Sequence, residues 1–124
     1  MKDGLDRSIW ANYLQEFTRR NQWRITRLEV FGEHGAQEEQ HGLAFAGIAL
    51  EQVSGGPSIE IMFGGNDPQE PRHLTHVIAN VQQITSKLGP DGRDEALEII
   101  DGEGEKCLLR FDPALPDQAY QQRL

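Results

Sequence analysis

The first apolar pattern along the chain has the period of a helix. In "LDRSIWANYLQEFTRRNQ", Ile9, Trp10, Tyr13, Leu14 and Phe17 recur at spacings of one, three and four, which puts them on one helical face. Asp6 stands where an N-cap belongs, and Leu5 and Trp10 flank it at the spacing of a hydrophobic staple. The expected helix runs from Asp6 to about Asn21, with Gln15, Glu16, Arg19 and Arg20 turned to the other side. Its apolar face needs a surface to pack on.

The period then changes to two. In "WRITRLEVFG", Trp23 and Ile25 alternate, and Leu28 and Val30 resume on the other parity. That slip predicts a strand with a bulge near Thr26 and Arg27. "GLAFAGIALEQV" is long and nearly uncharged, as in a strand buried on both faces. "SIEIMF" sets Ile59, Ile61 and Phe63 against Glu60. "EALEIID" and "KCLLRF" flank "DGEG", and Asp-Gly between alternating runs is a strong hairpin signal. "VSGGPS", "GGNDPQEP" and "LGPDGRDE" have the composition of turns. "RHLTHVIANVQQI" is rich in β-branched residues and is read as strand with a break near Asn80.

Composition narrows the class. The 124 residues are 37% hydrophobic and 26% charged, as expected for a single soluble domain, residues 1–124, with a polar tail from about 116 that is expected to be disordered. No apolar run approaches the roughly 18 residues of a membrane span, and "MKDGLDRSIW" does not read as a secretory signal. A lone cysteine, Cys107, fits a reduced cytoplasmic setting. The net charge is −8, and no lysine or arginine falls between Phe31 and Glu70. Six of the twelve bases lie in the first 30 residues, with Glu16 and Glu29 among them. That distribution argues against nucleic acid as a partner.

The candidate chemistry is thin. In a strand, His73 and His76 point to opposite faces, so His-x-x-His there cannot hold one metal. "GEHGAQEEQHG" gathers Glu33, His34, Glu38, Glu39 and His41 in what reads as a solvated connection between strands, which does not preset a coordination geometry. "DGEGE" begins like a calcium loop, yet Lys106 occupies the sixth position where glycine is required. The glycine pairs lack the spacing of a nucleotide loop. Cys107, alternating in a strand, is read as a small buried thiol. No catalytic residue, metal or cofactor is assigned. Should the sheet enclose a ligand, His76, Glu60 and Arg110 are the side chains expected to line its concave face.

The order of elements resembles an uncharacterised bacterial family, the domain of unknown function numbered five-three-three-five. The resemblance rests on "WANYLQEF" with Trp10, Tyr13 and Phe17, on "VFGEHGAQEE", on "GLAFAGIALE" with Leu43 and Gly47-Ile48, and on "ALEIIDGEGEKCLLRF". It covers roughly Leu5 to Leu115. One departure is Asn80-Val81, where the family often has a step into proline. With no established activity, the resemblance implies a fold and supplies no catalytic residues. The expected fold is α+β: an N-terminal helix packed on a twisted antiparallel meander sheet of six or seven strands, rolled toward a half-barrel. The expected function is a non-enzymatic cytoplasmic interaction module, homodimeric or bound to a protein partner. The alternative is a small-ligand binding protein or enzyme using the concave face of the sheet.

Overall fold

A computed structural model describes residues 4–65 and 67–112; the polar tail from about 116 lies outside the described residues. The chain opens with a 3-10 turn, Arg7–Ile9, and continues as helix α1, Trp10–Asn21. Asp6 caps the turn: its carboxylate accepts the Ser8 backbone N–H at 2.9 Å and the Ser8 hydroxyl at 2.8 Å. The Trp10 indole donates to the Leu5 carbonyl at 3.1 Å, which ties the entering segment to the first helical turn. Arg19 and Arg20 in the last turn complement the negative end of the helix dipole.

Seven strands follow: β1 Ile25–Gly32, β2 Gly35–Val53, β3 Gly56–Gly64, β4 His73–Ile78, β5 Val81–Leu88, β6 Asp94–Asp101 and β7 Lys106–Phe111. They form one antiparallel sheet in the order β4-β3-β2-β1-β7-β6-β5. Two meanders, β1 to β4 and β5 to β7, are therefore joined by the non-local pair β1–β7. The sheet curls around α1 as a half-barrel. Trp10, Leu14 and Phe17 enter a core with Leu28, Phe45, Ile59, Ile61, Phe63, Ile84, Leu97, Ile99, Leu109 and Phe111. Phe17, Phe45 and Phe111 meet pairwise at ring centroids of 5.7 Å, so one helical side chain locks β2 to β7.

The bulge expected in β1 near Thr26 and Arg27 lies instead on its neighbour: where β1 steps from Ile25 to Arg27, β2 steps from Ala44 to His41 and takes up an extra residue beside Gly42, whose φ is 104°, whereas β1 pairs with β7 without a shift from Thr26 to Phe31. The bulge is held by side chains. Thr26 is buried and its hydroxyl donates to the Leu43 carbonyl at 2.7 Å, while Gln40 donates to the same hydroxyl at 2.8 Å. Along β1 itself Thr26, Leu28 and Val30 alternate regularly toward the core, Arg27 and Glu29 lie on the other face, and Ile25 is exposed. The break in "RHLTHVIANVQQI" is also where the residues place it: Asn80 has φ 51°, a left-handed conformation that asparagine tolerates. Its carbonyl accepts the Gly102 N–H at 2.9 Å, pinning the β4–β5 corner to the β6–β7 hairpin.

A second expectation is corrected. "GEHGAQEEQHG" is not a flexible connection: only Glu33 and His34 form the turn, and β2 already begins at Gly35. Ala36 to His41 run as strand beside β1, largely exposed, ahead of the buried stretch from Leu43 to Ile48. Backbone pairing to β1 carries this ribbon past the core without an apolar face of its own.

Candidate functional site

The three side chains singled out for a concave pocket do not converge. His76 pairs opposite Ile61 on the core side, whereas Glu60 pairs opposite the exposed Val77 on the other face. Arg110 lies on β7, three strands from β3 in the sheet order, and its pairing partner across β1 is Arg27. The concave side itself is occupied by α1 and the core side chains. His73 and His76 fall on opposite faces of β4, as the strand reading requires. Cys107 is buried, and burial pushes its thiol up to about 12, far from a reactive thiolate.

The β6–β7 turn is closed by its own acid: the Asp101 carboxylate accepts the Glu103 and Glu105 N–H groups at 2.9 and 3.0 Å. His41 lies 3.9 Å from Glu38 and 3.8 Å from Asp112 on the outer face. Among the described residues no group of three or more His, Cys, Asp or Glu is placed to hold a metal. No described helix is long and apolar enough to cross a membrane.

The most tightly built polar cluster joins the end of α1 to the start of β6. The Asp94 side chain, 3% exposed, accepts from Arg20 Nε at 2.6 Å, Arg20 Nη2 at 3.2 Å and Asn21 Nδ2 at 2.8 Å. Burial alone raises its carboxyl, but the bonds from Arg20 and Asn21 and the charges of Arg20 and Arg24 outweigh burial and hold it below its ordinary value. Arg24 adds bonds to Asn21 Oδ1 at 2.8 Å and to the Asp94 carbonyl at 2.9 Å. Residues 21–24, between the helix and β1, are tightly turned. Trp23 has φ 73° with its side chain 45% exposed, a conformation that disfavours a bulky residue.

The surfaces best shaped for recognition are the two sheet edges, and they are not alike. Outer strand β5 is covered. The Leu5 N–H donates to the Ile84 carbonyl at 2.8 Å, Arg7 reaches Gln82 at 3.3 Å, and Leu5 packs against the core. Register shifts interrupt β5 between Val81 and Gln83 and between Lys87 and Leu88. Outer strand β4 pairs with β3 without a shift from His73 to Ile78, and it contains no proline, lysine, arginine or acid. Val77 on it is 55% exposed. Among the described residues no hydrogen bond reaches β4 from any strand but β3. Alternate N–H and C=O groups along it point outward, available to another strand.

The model of a family of unknown function (DUF5335) matches residues 1–119, so the chain belongs to that family. Neither a search of curated proteins nor a search of solved structures found a match.

Proposed function

We propose, for this member of a family without an assigned activity, a non-enzymatic cytoplasmic interaction module that presents β4 to a strand of a protein partner, in the first instance a second copy of itself. The observation that carries the reading is the β4 edge, regular over six residues and uncovered among the described residues, beside an opposite edge that is covered and broken. Strand addition at such an edge supplies main-chain hydrogen bonds, and exposed side chains set the specificity. Two β4 strands meeting across a two-fold axis run antiparallel, and each contributes the same surface. Charge favours this edge for self-contact: in a chain of net charge −8, His73 to Ile78 contains no carboxylate to repel its copy.

Native mass spectrometry tests the reading. The wild-type chain is expected at twice the chain mass, and Val77→Lys at the single-chain mass with the same far-ultraviolet circular dichroism and a melting temperature that, unlike the wild type's, does not depend on concentration. A wild-type protein that stays monomeric at every concentration contradicts the self-pairing reading. So does a dimer indifferent to Val77→Lys.

A further inference from the structure

A cleft of about 440 Å³ opens where β1 begins, β7 ends and the β5–β6 connection crosses, well apart in the sheet order from β4. Arg24, Arg27, Arg93 and Arg110 all line it. Four acids line it too, Asp91, Asp94, Glu95 and Asp112, and two of them have cationic or imidazole partners of their own. Asp94 is clasped by Arg20, Asp112 lies 3.8 Å from His41 Nε2, and Asp91 accepts the Arg93 backbone N–H at 3.0 Å. Among the arginines, Arg110 has an ion pair with Glu29 at 3.3 Å. Among the described residues, Arg24, Arg27 and Arg93 have no carboxylate within 4.0 Å.

Two of these guanidinium groups, those of Arg24 and Arg27, are held at a cost that an anion offsets, and the exposed Arg93 stands beside them. Arg24 lies 4.3 Å over the Phe111 ring and donates only to neutral oxygens. Burial first, and then the charge of Arg93, push it down from its ordinary value against the weaker opposing charges of Asp94 and Asp91. Arg27 stands directly opposite Arg110 across the β1–β7 pair, an arrangement that is repulsive by itself. Arg27 Nε is buried with no acceptor, and an unmet buried donor is destabilising. Guanidinium groups meet carboxylate and phosphate oxygens in matched geometry.

We propose that this cleft is a binding site for a small anionic ligand whose oxyanion group, phosphate or carboxylate, is held by Arg24, Arg27 and Arg93. Its volume falls within the roughly 300–1,000 Å³ of small-molecule sites, and Phe111 offers an apolar wall for the remainder of the ligand. The site is separate from the β4 edge, so either can fail without the other.

The test is an NMR titration of the full chain, with inorganic phosphate in one series and succinate in another. Saturable shifts at Arg27 and Arg93 are expected with at least one probe. Phosphate alone identifies a phosphate site, succinate alone a carboxylate site, and both a site for oxyanions in general. Arg27→Gln is expected to weaken binding about tenfold, the loss of one charged hydrogen-bond donor. Arg19→Gln, whose partner Glu16 lies on the same helix, leaves binding unchanged. Arg93→Gln, at an exposed position in the β5–β6 connection, provides a second variant should Arg27→Gln not fold. Saturation by neither probe overturns the proposal, as does equal weakening by Arg19→Gln and the cleft variants.

Discussion

The two edges of this sheet are built from strands of similar length and opposite design. At β5 the chain uses its own N-terminal segment as a cover, inserts two register shifts and places Lys87 near the end. These are the usual protections of an edge against unwanted pairing. At β4 the described residues show none of them, although only Ala79 and Asn80 separate the two strands. The absence of β4–β5 pairing explains why the barrel stays half open: Asn80 joins the strands at one corner while their backbones remain unpaired.

Perturbations should separate what both edges share from what each owns. The largest effect is expected at the shared support. Phe17→Ala removes the ring that joins Phe45 and Phe111 under the sheet, and should cost about 3–5 kcal/mol in urea unfolding. Both edges should then become labile together.

Next is the clasp between α1 and β6. Asp94→Asn is expected to cost about 1–2 kcal/mol near neutral pH, since Arg20 remains partly solvated. The Asp94 carboxyl is depressed in the folded protein, so its stabilisation is complete above the ordinary value of 3.8 and is lost as pH falls through the lower folded value. The stability gap between wild type and variant should accordingly close as the pH is taken below 3.8.

A smaller effect should be specific to the covered edge. Trp10→Phe deletes the indole bond to the Leu5 carbonyl, and should cost about 1 kcal/mol. It should also speed amide exchange in β5 without changing β4. Val77→Lys should alter the folding stability of the single chain by less than about 0.5 kcal/mol, because the side chain is already exposed. Its effect should fall on association instead.

Much of this architecture is legible in the residues because local signals agree with the tertiary structure. The helix and its staple, the Asp-Gly hairpin and the break at Asn80 are each encoded within a few positions, whereas the parity change after Ile25 reflects exposed Trp23 and Ile25 and not a bulge in β1. The start of β2 is not legible. Residues 36–41 lack an apolar alternation, and their strand state comes from pairing with β1. The convergence of the arginines is hidden for a different reason. Arg24 and Arg27 stand out in the basic first 30 residues, but Arg93 and Arg110 lie some 70 to 80 positions later. The β1–β7 and β6–β7 pairings, with the bond from Arg24 to the Asp94 carbonyl, bring the two groups together, and such non-local contacts leave no mark at short range. His76, Glu60 and Arg110 share no site because period-two alternation and strand order separate them, which short stretches of sequence do not encode.

The most direct measurement is hydrogen exchange at single-amide resolution over a range of protein concentrations, comparing β4 with β5. The edge account predicts that alternate amides of His73–Ile78 exchange fast when dilute and become protected as concentration rises, while β5 amides stay unchanged. Exchange in β4 that is independent of concentration, or concentration-dependent protection in β5 instead, would contradict it.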